Sequence, residues 1–537
     1  MLFTVTDEKI LRHFPLPKIR DKQMIAIRKV LEAFAEGYRH VFLEAPTGLG
    51  KSAIGVCVGS YMNEEFSTIE TPHKTAIGTI TKFLQDQVTH DFPRLRDIRS
   101  SGDPRYMCEI NTNKGTEDCI VNRKKTDDKC MKSCPYKIAL MEFRKGPLSI
   151  SNVHFIANAP FRYNLGVIDE CHEVGNVIAS QAELKMTDVD FSKLSLIFRE
   201  DTDTVKEMWD KVVYFIAGKK DGEVFDFMDT DFLLDIDLEN YKERVDGLAG
   251  TSEFGSINRQ FSFFANNVNK ALLISNAKMV KVIEKFQDDR TGKIDELEII
   301  RPIYAREFAP SMIFSKADRF LHMSATICGF EGYAKELGLN YDQCKGIEVD
   351  HVIDAERRLV HFRPVSWMSA KNEQLDVERT VNFIDSVIDK FENQNTIIHS
   401  TSYKRAQMIR DRSKHDIVIP KNAKEAVSYL KTREKGCFVA SPSLIAGVDG
   451  KDDMCRVNII AKVPFPSFGD PRVKYLAKHN PEIINQDLVR RMVQAAGRGT
   501  RHEEDYSTSF VIDGMFEKIY NEYRHFFPKW FVEALRF

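Results

Sequence analysis

Residues 41–52, VFLEAPTGLGKS, constrain the fold more than any other segment. A short apolar strand runs into a glycine-bearing loop that ends in Gly-Lys-Ser. A polyphosphate needs backbone N–H groups turned inward, a cation on its outer phosphates and a hydroxyl for magnesium. Thr47, Gly48, Gly50, Lys51 and Ser52 offer these in order, so the segment reads as a phosphate cradle at the carboxyl end of a parallel strand. Ala45 stands where the general GxxxxGKS/T pattern has its first glycine. The competing reading is a chance glycine-rich turn, and two later segments argue against it by completing the same site.

The first is Leu165-Gly166-Val167-Ile168 leading into Asp169-Glu170-Cys171-His172. A buried strand ending in adjacent carboxylates supplies a magnesium partner, Asp169, and a base that orients water, Glu170. The bland alternative is an exposed acidic turn. The second is Gln494-Ala-Ala-Gly497-Arg498-Gly499-Thr-Arg501, after the helical-looking DLVRRMV. If the helix continues, Gln494, Arg498 and Arg501 share one face at i, i+4 and i+7, which suits a γ-phosphate. In this reading Arg490 and Arg491 are ordinary solvated arginines. Arginines brought by a second lobe would make hydrolysis depend on closure.

The chain has 537 residues and is 43% hydrophobic, enough for several cores at about 100–200 residues per domain. Its formal charge of −2 excludes a globally basic nucleic-acid binder, so any such affinity must come from local channels. No apolar run approaches the roughly 20 residues needed to cross a bilayer, and the N-terminus lacks a signal-peptide core. A soluble intracellular protein is expected.

Of the ten cysteines, Cys57, Cys171, Cys328, Cys344, Cys437 and Cys455 are scattered and read as small buried hydrophobes. Cys108, Cys119, Cys130 and Cys134 cluster within 27 residues of polar, loop-like sequence. So polar a stretch has little apolar surface with which to fold, which favours a metal-centred core. Spacings of ten, ten and three intervening residues leave zinc and an iron–sulfur cluster both open, with free thiols the remaining alternative.

Taken together, EAPTGLGKS, TITKFLQDQ, DECH, MSAT, SPSLIAGVD and QAAGRGTR, in that order, resemble superfamily 2 helicases of the XPD/DinG-like iron–sulfur branch. The resemblance covers almost the whole chain. It implies two RecA-like lobes with ATP and Mg2+ between them and single-stranded DNA across both. It also implies a 4Fe-4S cluster on the four clustered cysteines, since Gly102-Asp-Pro-Arg-Tyr106-Met-Cys108 and Cys134-Pro135-Tyr136 are similar to the flanks of the family's outer ligands. By the same resemblance Arg20 and Gln23 lie on the adenine side, and Asp449 in the second-lobe motif. Thr79, Thr81, Gln85 and Gln87 resemble a first-lobe DNA contact, and Thr401, Ser402 and Tyr403 a second-lobe one. Ser324-Ala325-Thr326 resembles the segment coupling nucleotide state to DNA grip, and His172 is a candidate relay between lobes. Ala446, beside Gly447, stands where relatives commonly carry Glu.

The expected fold is α/β. Residues 1–98, 147–175 and 308–344 form the first lobe and its linker, with strands at 41–43, 76–80, 165–168 and 320–323. A cysteine module occupies 99–146. A mainly helical insertion, the family's arch, occupies 176–307, with 262–286 read as helix. The second lobe is 345–537, with strands at 396–399, 437–440, 457–461 and 509–512. The expected activity is an ATP-dependent DNA helicase that loads on single strands, or single-strand/duplex junctions, and by resemblance moves 5′ to 3′. The alternatives are a translocase that strips proteins from single strands, and a nucleotide-gated interaction subunit with little turnover. A complete site on one chain permits a monomer.

Overall fold

The computed structural model describes residues 2–108, 133–248, 251–287, 294–367, 373–432, 436–442, 452–500 and 504–537. Five strands come first: β1 (His40–Glu44), β2 (Thr75–Thr79), β3 (Arg96–Asp97), β4 (Leu148–Asn152) and β5 (Tyr163–Asp169). The insertion holds β6 (Leu184–Lys185), β7 (Val224–Asp226), β8 (Lys278–Gln287) and β9 (Ile294–Pro302). The chain then returns to the first sheet with β10 (Ala317–Ser324) and β11 (Cys344–Glu348). The second lobe contains β12 (Val360–Ser366), β13 (Thr396–His399), β14 (Ile417–Val418), β15 (Phe438–Ser441), β16 (Val457–Ile460), β17 (Thr508–Asp513) and β18 (Leu535–Arg536).

Two seven-stranded parallel sheets result, ordered β11-β1-β10-β5-β2-β4-β3 and β14-β15-β13-β16-β17-β12-β18. Central strands such as His40–Glu44 and Thr396–His399 are buried along their whole length, because helices cover both faces of a parallel sheet. All eight strands expected from sequence are present. On one face of the first sheet, the helices Asp21–Glu36 and Lys51–Phe66 close a core around Val30, Leu31, Phe34, Val41, Leu43 and Ile54.

The opposite face shares a continuous core with the insertion, running from Phe42, Ile168 and Phe320 to Leu194, Trp209, Phe264 and Met279. The insertion therefore packs as part of the first lobe. Its longest helix, Phe254–Leu273, ends well before the expected limit at 286, and residues from Lys278 form β8 instead. The physical reason is residue type and pairing: Val280, Val282 and Ile283 are β-branched residues that favour a pleated strand, and β8 pairs with β9 in a long antiparallel hairpin of the sheet β6-β9-β8-β7. All six scattered cysteines are buried, as their apolar surroundings predict. Among the described residues no helix is long and apolar enough to cross a membrane.

The lobes meet along the helix Pro481–Ala496. Asn480 at its start accepts a hydrogen bond from Tyr304 at 2.6 Å, and Gln486, Arg490 and Gln494 reach the first lobe at successive four-residue steps. Apolar contact joins the insertion to the same region, with Val280, Ile303 and Tyr304 against Leu476 and Ile484.

Candidate nucleotide site between the lobes

Four neighbouring strands of the first lobe, β1, β10, β5 and β2, deliver their carboxyl ends to one edge. Ligands in open parallel sheets bind beyond such ends. β1 runs into the cradle. Gly48 and Gly50 have φ of 84° and 83°, the left-handed region that a side chain disfavours, and Gly50 caps the helix that begins at Lys51. A Cβ on Gly50 would stand 2.7 Å from the Gln23 amide, so glycine is needed there for room as well. Lys51 Nζ lies 3.3 Å from the Ala45 carbonyl, held over the loop, and Ser52 Oγ is 3.5 Å from Asp169 Oδ2.

Arg20 and Gln23 both donate to the Leu49 carbonyl at 2.8 Å, while the Gln23 side-chain carbonyl accepts from the Arg20 N–H at 3.0 Å. Gln23 is buried, so in this structure it works as a tether of the cradle. β5 delivers the acidic pair. Asp169 is buried and its carboxyl is pushed up to about 6, first by burial and then by the charge of Glu170, with Lys51 opposing. Glu170 adopts φ 51°, uncommon for a non-glycine residue, and its N–H donates to Asp169 Oδ1 at 3.0 Å. A residue held in this region costs about 1–3 kcal/mol and persists where its surroundings over-determine it.

The second lobe closes the site through Gln494. Its amide Nε2 lies 2.7 Å from His172 Nε2 and 3.2 Å from Thr326 Oγ1. An amide nitrogen only donates, so His172 accepts at Nε2 and carries its proton on Nδ1, 2.7 Å from Ser324 Oγ. Ser324 Oγ also accepts from the Thr326 N–H at 3.0 Å. Glu170 Oε2 stands 3.5 Å from the same ring. Thr47 Oγ1 donates to the Thr500 carbonyl across the cleft at 3.2 Å. The cradle, the acidic pair, Ser324-Ala325-Thr326 and Gln494 thus form one connected group.

Several expectations need correction. The helix bearing Gln494 does not continue to Arg501: it ends at Ala496, a short 3-10 turn spans Gly497–Gly499, and Thr500 is extended at φ −129°. The two glycines break the helix where the i, i+4, i+7 reading needed it intact. The Arg498 side chain, Arg501, Asp449, Ala446, Gly447, Cys119 and Cys130 lie outside the described residues. Arg490 is not solvated. It is buried, donating to the Ile327 carbonyl at 3.1 Å and to Glu336 at 3.1 Å.

Of the residues expected on DNA, Thr79 and Gln85 are fully buried. The Gln85 amide donates to Asp97 and to the Ile98 carbonyl, tying its helix to the root of the cysteine module, so neither side chain offers a surface to a nucleic acid here. Thr81 and Gln87 are exposed, and Thr81 caps the helix Lys82–Asp91. In the second lobe Ser402 caps the helix Tyr403–Arg412, Tyr403 is half exposed, and Thr401 sits at φ 61° with its hydroxyl bonded to Arg405 at 2.6 Å. At the module's root, the Tyr106 and Tyr136 rings meet edge-on at 5.5 Å, bringing together the two segments that carry Cys108 and Cys134. Among the described residues no group of three metal-ligating side chains forms, and only these two of the four clustered cysteines are among them.

Sequence reading missed Glu44, Gln486 and Arg490. Glu44 ends β1, is buried, accepts from the Cys328 N–H at 2.7 Å, and is pushed up to about 7 mainly by burial. Gln486, Arg490 and Gln494 recur every fourth residue on a helix otherwise lined by Ile484, Leu488, Val489, Met492 and Val493. That four-residue spacing of polar residues among the buried apolar positions was the available signal.

Residues 384–534 match the helicase C-terminal domain family, and residues 16–189 match the type III restriction enzyme, res subunit, family. No curated protein matches the chain by sequence. Among solved structures, the chain is similar to an XPD helicase at 16% identity and TM-score 0.58, covering 94% of this chain and 97% of that one. It is also similar to Xpd4 of S. tokodaii, at 12% identity and TM-score 0.54 over 96% and 99% of the two chains. An apo XPD structure aligns at 14% identity and TM-score 0.52 over 93% and 97%. The fold is that of these XPD structures.

Proposed function

We propose that this XPD-like chain is an ATP-driven DNA helicase that advances along single strands, 5′ to 3′, and opens duplexes at junctions. The observation that carries this reading is the split site. Cradle and acidic pair belong to the first lobe, while the amide that holds His172 and Thr326 belongs to the second. Hydrolysis is then tied to lobe closure, as a motor requires.

The residues fit the groups this reading needs. The backbone of 47–52 and Lys51 take the triphosphate, and Ser52 and Asp169 would hold Mg2+, which supplies charge neutralisation when bound. Glu170 takes a proton from the attacking water, with His172 fixing the carboxylate's neighbourhood. Gln494 aligns the second lobe, and by the resemblance Arg498 and Arg501 would supply the cations for the γ-phosphate. Arg20 and Gln23 set the cradle and border the adenine. By the resemblance, Asp449 of the second-lobe motif would also serve the nucleotide. Thr81, Thr401 and Ser402 offer hydroxyls suited to sequence-independent phosphate contacts.

Cys108, Cys119, Cys130 and Cys134 would hold a 4Fe-4S cluster. The soft thiolate set and the meeting of Tyr106 and Tyr136 at the module's root suit a metal centre, and the resemblance of the flanking sequences selects the cluster over zinc. The cluster would give the polar module a core that its sequence lacks. The protein is read as intracellular.

The test is steady-state ATP turnover with and without single-stranded DNA, followed by unwinding of duplexes with 5′ or 3′ overhangs. DNA-stimulated turnover with unwinding from the 5′ overhang is expected. Unwinding from a 3′ overhang alone would reverse the polarity, and absence of turnover on any nucleic acid would remove the motor reading.

A further inference from the structure

The turn Ile327-Cys328-Gly329, just after β10, is gripped from two sides. From the first lobe, Glu44 at the foot of the cradle accepts the Cys328 N–H at 2.7 Å, and Cys328 is held at φ 58°. From the second lobe, Gln486 Nε2 donates to the carbonyls of Ile327 at 3.1 Å and Gly329 at 2.8 Å, and Arg490 Nε donates to Ile327 at 3.1 Å. Arg490 Nη1 continues to Glu336 at 3.1 Å, and its guanidinium lies over the Tyr333 ring. Tyr333 in turn donates to the Cys171 carbonyl at 3.1 Å, one residue after Glu170.

The fit is close. A Cβ on Gly332 would stand 2.6 Å from Gln486 Oε1, so glycine lets the second-lobe helix approach the helix Phe330–Glu336. Gln486 and Arg490 are both buried, and an arginine buried this way is costly to leave without its acceptors. Neither touches the cradle or the acidic pair. Both precede Gln494 on the same face of one helix, at steps of four residues, and Gln494 is the residue that reaches His172 and Thr326.

We propose that Gln486 and Arg490 are positioning residues: they clasp the 327–329 turn between the lobes and so fix the height and rotation at which Gln494 meets His172 and Thr326. The inference deepens the motor reading and rests on it for its kinetic consequence. The clasp makes no use of nucleotide, so it acts as the pivot of closure. Motion of the second lobe then becomes rotation about the turn, and the strand end carrying Ser324 and the helix end carrying Gln494 move as a matched pair.

The full chain tests this with Arg490→Met and, as a milder variant without a charge change, Gln486→Leu, each alone and combined with Gln494→Ala. Fluorescent ADP binding reports the cradle, and DNA-stimulated kcat reports alignment. Hydrogen exchange at the amides of 324–329 reports the turn without any activity. A positioning role lowers kcat by up to ~10-fold with ADP affinity within about threefold, because misplacement acts on turnover and spares ground-state binding. In the Gln494→Ala background the same substitution then costs little more, and exchange at 324–329 rises in the clasp variants alone. Additive losses of kcat in the double variants, or unchanged exchange at the turn, would overturn the proposal. If the unsubstituted protein shows no turnover, the motor reading falls, and the exchange result still decides the clasp.

Discussion

The two lobes carry sheets of the same size and sense and use them differently. In the first, chemistry sits on strand ends: β1 gives the cradle, β5 the acidic pair and β10 Ser324, three adjacent strands feeding one edge. In the second, Gln494 reaches the nucleotide site from the flank of a helix, Pro481–Ala496, and the Thr500 carbonyl meets Thr47 just beyond that helix, while the end of β13 carries Thr401 and Ser402. The architecture is duplicated and the chemistry is divided. A strand end points a loop into the cleft from a fixed sheet, which suits groups that must be rigid. A helix flank can rotate as a body, which suits groups that must arrive on closure.

This contrast can be broken most sharply at Glu170. Glu170→Gln should bind ATP and lower DNA-stimulated turnover on the order of 10²- to 10⁴-fold, since an amide is a poor base. Near-normal turnover in single-turnover kinetics would remove the catalytic role. Lys51→Ala should instead weaken nucleotide binding itself, by about 10-fold or more, through loss of the phosphate cation. Equal nucleotide affinity in a titration with fluorescent ADP would contradict the cradle.

Gln494→Ala sharpens the comparison from the other lobe. Turnover should fall ~10-fold with ADP affinity nearly unchanged, the reverse of Lys51→Ala. A matching loss of affinity would mean that the second lobe builds the ground-state site as well. For the cysteine module, Cys108→Ser or Cys134→Ser should abolish iron and sulfide in anaerobically purified protein. Near-stoichiometric zinc without iron would show a different metal.

The smallest expected effect concerns stability. His40 and His322, paired at 3.1 Å on the adjacent strands β1 and β10 of the first sheet, are held neutral by burial. His40 is lowered to about 3 and His322 lies well below its usual value. Because the folded values are depressed, the stabilisation is present above about pH 6.5 and is lost as pH falls toward 3. At pH 5 the loss is about 2 kcal/mol for His40. Thermal unfolding between pH 7 and pH 5 measures it, and His322→Gln, which does not titrate, should flatten the slope. An unchanged slope would assign the acid sensitivity elsewhere.

The acidic pair and the cradle were legible because each is a local event, an apolar strand followed at once by its functional loop. Arg490 was misread for the opposite reason. Beside Arg491 it looks like a solvated arginine, and only the partner lobe supplies Ile327, Glu336 and Tyr333 to bury it. Gln85 was misread likewise: its motif neighbours Thr81 and Gln87 face outward, while its own amide is consumed by Asp97 and Ile98.

By itself the sequence determined the strands, the parallel α/β class, the cradle and the acidic pair, because short continuous apolar runs and the loops that follow them encode those structures within a few residues. The tertiary structure alone decided where the helix after residue 481 ends its reach, which arginine is buried and which amide joins the lobes. Those outcomes depend on surfaces far apart in the chain, and no local pattern specifies what a side chain will meet there.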